Sequence, residues 1–177
     1  MTGSTYLDFD KTLAKGMRLI RSNENRSFGL LTVVGINLGL RISDLLQLTF
    51  NDLRGEDLII KEGKTGKERK LKLNPHIKTA IQFFEEEPGN FHAFRSQKRT
   101  IYSIQQVNRL IKKYFKGSRL SSHTLRKTFG RQVWNNNQQS EKALLYLSEL
   151  FNHTSVAITR KYLGIRQEEL DDIYMNL

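Results

Sequence analysis

The spacing of hydrophobic and polar residues predicts a mainly helical chain with one small sheet. Apolar residues recur at helical spacing in five segments, about 10–21, 27–39, 122–136, 140–150 and 155–163. The TVV run inside the second segment also fits a strand. Between these segments, DLIIKEGKTGKERKLKLN contains two short strand patterns on either side of the loop Gly63–Lys67. In the second pattern Leu71 and Leu73 alternate with Lys70 and Lys72, which predicts a basic β-hairpin.

Capping signals predict two further helices in the middle of the chain. Asn74 followed by Pro75 is an N-cap and first-turn signal, and Pro88-Gly89 ends that helix. Its apolar stripe comprises Ile77, Ala80, Ile81 and Phe84. Ser103 with Gln106 forms a capping box for the second helix. The stripe of the second helix comprises Ile104, Val107, Ile111 and Tyr114.

The end of the chain carries one more amphipathic pattern. Leu170, Ile173, Tyr174 and Leu177 lie at i, i+3, i+4 and i+7, which places them on one face of a short final helix. The 177 residues contain no internal repeat and no low-complexity linker, and they are enough to bury a core. We therefore expect one α+β domain over 1–177, mainly helical with a small antiparallel sheet, and a C-terminal helical tail at 167–177.

The charge of the chain favours a polyanionic partner. Lys and Arg number 29 against 18 Asp and Glu, so the formal net charge is +11, and the sequence pI is about 9.9. An anionic membrane surface and nucleic acid could both bind such a chain. The basic residues are spread along the fold rather than along one amphipathic, aromatic-edged helix, which favours nucleic acid over a membrane.

Cysteine content and the apolar segments exclude several classes of protein. The chain contains no cysteine, so a disulfide framework, a thiolate nucleophile and a cysteine-based zinc site are excluded. The amino terminus lacks the apolar core of a secretory signal, and the stretch LLTVVGINLGL is too short to span a bilayer. We expect a soluble intracellular protein.

A tyrosine near the end of the chain stands beside basic residues, in the run LFNHTSVAITRKYLGI. A phenol, with a reference pKa of about 10, must lose its proton as it attacks phosphorus, and fixed donors must neutralise the charge that develops. Guanidinium groups suit that task, and a Lys or His can protonate the leaving oxygen. The candidate residues for this chemistry are Arg41, Lys64, His123, Arg126, His153 and Tyr162.

The order of these residues resembles the catalytic domain of the tyrosine recombinases, the phage integrase family. Arg41 stands in GLRISDLLQL and Lys64 at the predicted hairpin tip, while SHTLRKTF supplies the family's H-x-x-R motif. His153 and Tyr162 are nine residues apart (162 − 153), like the family's second histidine and its nucleophile. The resemblance covers about residues 28–166, and the combined motifs are specific although each alone is weak.

The resemblance implies a role for each residue. Tyr162 would form a 3′-phosphotyrosyl bond, and Arg41 and Arg126 would bind the non-bridging oxygens. Lys64 would protonate the 5′ leaving oxygen. His123 would act as a base or orient the phosphate.

The resemblance also implies the remaining parts of the system. His153 would donate a hydrogen bond to the phosphate, and neither metal nor cofactor is needed because the phosphotyrosine stores the bond energy. The enzyme would exchange strands through a Holliday junction as a homotetramer on double-stranded DNA, be a monomer or weak oligomer when free, and work with accessory DNA-bending proteins. It would serve a mobile element or invertible segment. As a bacterial or phage-encoded protein it would lie in the cytoplasm, associated with the nucleoid. The tail would dock on a neighbouring subunit, the alternative being that it packs on its own domain.

The chain departs from the family pattern at three points. Asn152 replaces the usual Gly before the second His, which the left-handed conformation that Asn tolerates can accommodate. Asp44 replaces the commoner Glu after Arg-Ile-Ser, so whatever it orients must lie closer. The N-terminal domain that clamps DNA in typical members is expected to be absent.

Other functions and plainer roles for single residues compete with this interpretation. Taken alone, Tyr162 could be a core tyrosine, Arg41 an ion-pair partner of Asp44, and His123 a buried histidine. A type IB topoisomerase-like activity would use similar chemistry without partner strands, and a non-catalytic regulator would only occupy recombination sites. A metal-dependent nuclease is disfavoured because its carboxylates must converge, whereas Glu85–Glu87 and Asp171-Asp172 look like solvated helix surface.

Overall fold

The computed structural model describes residues 3–61, 63, 66 and 68–176, which form helices and one two-stranded sheet. The helices are α1 Phe9–Arg21, α2 Arg26–Leu38, α3 Ile42–Leu45, α4 Phe50–Arg54, α5 Pro75–Ile81, α6 Ile104–Tyr114, α7 His123–Asn136, α8 Glu141–Phe151, α9 Val156–Leu163 and α10 Ile165–Met175. Strands β1 Asp57–Lys61 and β2 Glu68–Lys72 pair antiparallel. The predicted fold class, a mainly helical α+β domain with a small antiparallel sheet, is confirmed.

Short polar side chains fix where most of the longer helices begin. Each accepts a hydrogen bond from a backbone N–H in the first turn, which would otherwise lack a partner within the helix. These N-cap residues are Asp8, Asn25, Asn74, Ser103, Ser140 and Ser155. The capping box predicted at Ser103 and Gln106 is present in both directions, at 3.1 and 2.8 Å. Local sequence therefore determines most helix starts.

The buried apolar residues form two clusters that meet at α7. The larger cluster packs α1 and α2 against the segment from α3 to α6 and includes Leu125 of α7. The smaller cluster joins α7, α8 and α9 and comprises Trp134, Ala143, Leu144, Leu147, Phe151, Leu163 and Ile165, with Tyr162 packed against it. The two halves of the predicted site therefore belong to different clusters, and α7 connects them.

The helix predicted over about 27–39 is confirmed as α2, and the strand alternative for the TVV run is wrong, because Val33 and Val34 lie on a helix buried on nearly all sides. Two other local predictions were wrong. Helix α5 ends at Ile81 and continues as a 3₁₀ turn only to Phe84, before Pro88. Ile104 is 41% exposed, because the first turn of α6 projects beyond the core.

Other differences concern the start of α4 and the chain's final helix. Helix α4 was not predicted, although Thr49 and Asp52 form a capping box there. The apolar face of α10 does not pack on its own domain, since Leu170, Ile173 and Tyr174 are exposed, while Leu177 lies outside the described residues. In the described chain no helix is both long and apolar enough to cross a bilayer.

A left-handed glycine brings α2 against α7. Gly39 ends α2 with φ 61°, and a Cβ built there would lie 2.2 Å from Cδ1 of Phe129. Only a residue without a side chain therefore allows α7 to approach the end of α2 this closely. The next residues lead directly to Arg41, so this contact positions one of the candidate catalytic groups.

We expect Gly39→Ala to destabilise the protein more than Gly164→Ala. Gly164 also has positive φ, 80°, but a Cβ added to it would meet no atom within 4 Å in the described part of the chain. Both substitutions bear a left-handed strain of about 1–2 kcal/mol, and only Gly39→Ala adds overpacking of about 1–3 kcal/mol. Urea denaturation would measure both free energies of unfolding, and equal losses would contradict the role of the Phe129 contact.

Candidate active site

Two of the predicted arginines converge on one backbone oxygen. Nη2 of Arg41 donates to the carbonyl oxygen of Phe151 over 3.2 Å, and Nη2 of Arg126 donates to the same oxygen over 3.2 Å. Nη1 of Arg126 also donates to the carbonyl of Gly39 over 2.8 Å. Paired guanidiniums held this way present planar N–H groups that match the oxygens of a phosphodiester.

The acceptor of both bonds is the end of helix α8. Phe151 is the last residue of α8, and the C-terminal end of a helix carries a partial negative charge on its free carbonyls. That charge offsets part of the repulsion between the guanidiniums of Arg41 and Arg126. Arg126 is 6% exposed, so without such partners its charge would be costly to bury.

A left-handed turn after α8 directs His153 toward the arginines. Asn152 has φ 54° and ψ 49°, which confirms that Asn adopts the conformation for which the family uses Gly. The N–H of His153 bonds to the carbonyl of Ser148 over 2.9 Å, and that of Asn152 to Glu149 over 3.0 Å. These bonds close the helix end in the Schellman pattern and fix where His153 leaves it.

His153 is oriented by a residue that the sequence did not single out. Its Nδ1 lies 2.9 Å from the hydroxyl of Thr159, which is fully buried. When the Thr159 hydroxyl donates this bond, Nε2 carries the ring proton and can donate to a bound oxygen. Burial lowers the pKa of His153, followed by the charges of Arg126 and Arg41, so the ring is neutral at pH 7.

Tyr162 lies beside the same group of residues. Its ring meets that of Phe151 at 5.5 Å and that of His153 at 5.3 Å between centroids, both in edge-on geometry. Burial raises the pKa of Tyr162 to about 12, against the opposing effects of Arg126 and Arg41. Its buried hydroxyl has no hydrogen-bond partner among the described residues. The phenol is therefore held protonated, next to two cations that favour its anion.

Lys127 is a second neighbour of the tyrosine that the sequence did not indicate. Its Nζ lies 4.9 Å from the centroid of the Tyr162 ring and donates to the carbonyl of Ser4 over 2.6 Å. Burial and then the charge of Arg119 lower the pKa of Lys127. Lys127 thus connects Ser4 of the N-terminal segment to the ring of Tyr162.

Of the other two predicted residues, only His123 is described, and it lies at the edge of the site. His123 begins α7 and is exposed, so the alternative of a buried structural histidine was wrong. Partial burial of its ring, then Lys127 and Arg126, lower the pKa of His123. Lys64 lies outside the described residues.

The hairpin that carries Lys64 is attached to the site at two points. At its tip the N–H of Gly63 donates to Oδ1 of Asp44 over 3.1 Å. From β2, Nη2 of Arg69 donates to the carbonyl of Glu149 over 3.2 Å, in the last turn of α8. Gly63, next to Lys64 in sequence, is therefore bonded to α3 beside Arg41, and β2 is bonded to the helix that ends at Phe151.

The structure thus brings together Arg41, Arg126, His153 and Tyr162, with His123 nearby. In chemical terms they comprise two guanidiniums that share one acceptor, an imidazole and a phenol. No group of three or more His, Asp or Glu residues converges as a metal site within the described ranges. The residues that sequence reasoning missed are Phe151, Thr159 and Lys127, whose roles depend on contacts rather than on motifs.

Removing the hydroxyl of Tyr162 should stabilise the fold. Because that hydroxyl is buried without a described partner, we expect Tyr162→Phe to raise the free energy of unfolding at pH 7 by about 1 kcal/mol. The pKa of about 12 in the folded state lies above the unfolded value of 10.0, so the wild-type protein should lose stability as the pH rises from 10 towards 12. Tyr162→Phe should lack that loss.

Urea denaturation at pH 7 and across the alkaline range would measure both effects. The matched control is Tyr146→Phe, which alters an exposed tyrosine on α8 and should change neither. A Tyr162→Phe protein less stable than wild type at pH 7 would contradict the burial of an unpaired hydroxyl.

Comparison with known proteins identifies relatives over about four fifths of the chain. The chain is 33% identical over 152 residues to the probable integrase/recombinase YoeC of Bacillus subtilis, covering 82% of each. It is 29% identical over 145 residues to a tyrosine recombinase of Agathobacter rectalis, with 78% of this chain and 47% of that protein covered. The chain thus spans about half the length of the second relative.

Solved structures share the fold. The XerA recombinase superposes with a TM-score of 0.67 at 21% identity, over 99% of this chain and 66% of that one. The XerH site-specific recombinase, in a post-cleavage complex with palindromic difH substrate, gives 0.66 at 22% identity over 98% and 53%. The model of the Phage integrase family matches residues 17–169. This chain belongs to the phage integrase family, the tyrosine recombinases.

Proposed function

We propose that this chain is a site-specific DNA recombinase that cleaves and rejoins DNA through a covalent bond to Tyr162. The observation that carries the proposal is the convergence of Arg41 and Arg126 on one point beside a buried phenol. A structural tyrosine would gain at most a cation–π contact from two nearby guanidiniums. A nucleophile gains from them, because they favour the phenolate and the charge of a five-coordinate phosphorus.

The chemical step needs a defined path for each proton. The Tyr162 oxygen attacks phosphorus and its proton passes to His123 or solvent, while the bond from phosphorus to the 5′ oxygen breaks. Lys64 protonates that leaving oxygen. In the rejoining step the 5′ hydroxyl of a second strand gives its proton to the neutral Lys64 and attacks phosphorus, the bond from phosphorus to the Tyr162 oxygen breaks, and His123 or solvent returns a proton to the phenolate. Arg41, Arg126 and the Nε2 proton of His153 bind the non-bridging oxygens throughout.

The substrate in this proposal is duplex DNA. The net charge of +11 supports a partner of high negative charge, and the XerH relative was solved with its difH substrate. Binding through phosphate contacts should weaken steeply as the salt concentration rises. The same chemistry without exchange between two duplexes would relax supercoils, so strand exchange is the activity that distinguishes the proposed recombinase.

The first test is covalent trapping on DNA. The protein is mixed, in excess chelator, with a library of nicked suicide duplexes from the source genome, and adducts that resist denaturation are collected. We expect an adduct that is lost in Tyr162→Phe and retained in Tyr146→Phe, the exposed control. Arg41→Ala and Arg126→Ala should each slow adduct formation by about 10²–10³-fold, the usual effect of removing a charge-stabilising donor.

The outcomes separate the competing functions. Salt-sensitive binding without an adduct, even after a clamp domain is added in trans, would mean a non-catalytic regulator. An adduct accompanied by plasmid relaxation but no exchange between two sites would mean topoisomerase-like activity. An adduct that persists in Tyr162→Phe would disprove the nucleophile.

The C-terminal helix is proposed to join subunits on DNA, in a homotetramer. Its first half is held in place, since Ile165 is buried and Glu168 and Glu169 pair with Arg131 and Arg160. Its second half is free of the core, with Ile173 59% and Tyr174 74% exposed. An exposed apolar pair on a helix that is anchored at one end suits docking on a neighbouring copy.

We expect Ile173→Ser with Tyr174→Ser to reduce synaptic complexes on two-site DNA by at least about tenfold, the scale of one interface hot spot. Single-site cleavage should remain, because neither side chain contacts the core. The matched control is Leu145→Ser with Tyr146→Ser, an aliphatic and tyrosine pair on α8 whose side chains are also more than half exposed. Native gels would measure synapsis, and full synapsis by the α10 variant would refute the docking role.

A further inference from the structure

One residue contacts four of the five described catalytic candidates, Arg41, Arg126, His153 and Tyr162, and no motif marks it. We propose that Phe151 is the positioning residue of this site. Its carbonyl accepts hydrogen bonds from both arginines, and its ring packs against the side chains of Arg126, His153 and Tyr162. This inference rests on the proposed function and adds to it a residue that aligns the catalytic groups without reacting.

The carbonyl contributes the first set of contacts. It accepts one hydrogen bond from Arg41 and one from Arg126, each of 3.2 Å. These arginines come from different elements, the start of α3 and helix α7, which are 110 and 25 residues away in sequence. Because both arginines donate to the same oxygen, that oxygen restricts the distance between their guanidiniums. The two guanidiniums are therefore already positioned for a phosphate before DNA binds.

The ring contributes the second set. The guanidinium carbon of Arg126 lies 4.4 Å from the ring centroid, within the range of a cation–π contact. The rings of His153 and Tyr162 each meet it edge-on at 5.5 Å between centroids. One aromatic face and its edges therefore support three side chains at once.

The ring itself is held rigidly. Phe151 is 1% exposed and packs at 6.3 Å between centroids against Phe129. On α7, Gly130 leaves room for it, because a Cβ there would lie 3.0 Å from Cζ of Phe151. The position of Phe151 is therefore set by α7 and α8 together. A shift of about 1 Å at reacting groups can cost about 10²-fold in rate, so such a support matters for catalysis.

The test compares two phenylalanine substitutions that empty similar space. Phe151→Leu keeps the backbone carbonyl and an apolar side chain but removes the ring. The control, Phe28→Leu, removes a fully buried ring from the larger cluster, where it packs on Tyr114 and Phe115. Circular dichroism first establishes a temperature at which both proteins are folded.

Two readouts are then taken. The first is the single-turnover rate of adduct formation on saturating DNA, for which we expect Phe151→Leu to fall by about 10–100-fold and Phe28→Leu to match wild type. The second does not need DNA. Tyrosines are replaced by 3-fluorotyrosine, whose lower phenol pKa brings the titration to a pH at which the fold persists, and Tyr162 is assigned by the signal lost in Tyr162→Phe.

The fluorine titration should show a lower pKa for residue 162 in Phe151→Leu than in wild type, because loss of the ring lets water reach the phenol. Phe28→Leu should leave it unchanged. The positioning role is overturned if the titration or the rate of Phe151→Leu equals that of Phe28→Leu. If wild-type protein forms no adduct, the proposed recombinase activity fails, and the titration alone then decides whether Phe151 organises the cluster.

Discussion

The site depends on a like-charge contact that a helix end makes tolerable. The guanidiniums of Arg41 and Arg126 would repel each other if brought together in an apolar cleft. At the C-terminus of α8 both donate to the carbonyl of Phe151, which carries part of the helix's negative end charge. In the free protein the backbone carbonyl thus binds the two guanidiniums that a phosphodiester would bind in the complex. The fold must bring the start of α3 and the first turns of α7 to this one point.

The nucleophile is subject to the opposite constraint. Burial keeps the phenol of Tyr162 protonated, with a pKa of about 12, while the two arginines favour its anion. In the proposed mechanism the balance shifts only when a phosphate oxygen pair occupies the arginines and a base takes the proton. A tyrosine that stays neutral until its substrate arrives would not react indiscriminately. The same burial leaves its hydroxyl without a described hydrogen-bond partner, which lowers the stability of the fold. Such losses are common where function conflicts with packing.

The division of the core into two clusters explains how the site is assembled. Arg41 follows the end of α2, a helix of the larger cluster, whereas Tyr162 and the Phe151 ring beside His153 belong to the smaller one. Helix α7 belongs to both and supplies Arg126 at their junction. Small adjustments between the clusters would therefore change the distance between the two arginines and the nucleophile. The contacts of Phe151 span that junction, which is why its ring and carbonyl matter together.

The sequence by itself determined the family, the fold class and the set of candidate residues. Local rules sufficed for these, because helix caps such as Ser103, hairpin alternation and the nine-residue spacing from His153 to Tyr162 are short-range patterns. For the TVV segment those rules predicted a helix but left a strand open, because burial on all sides removes the periodicity that separates helix from strand.

Only the tertiary structure decided which atoms meet. The contact of Arg41 with Phe151 joins residues 110 positions apart, and its acceptor is a backbone oxygen, which every residue possesses. Thr159 and Lys127 likewise act through the neighbours that packing gives them. A sequence pattern records side-chain type and spacing along the chain. It does not record which way a carbonyl at a helix end points or which guanidiniums reach it. Those contacts form only when distant elements pack together.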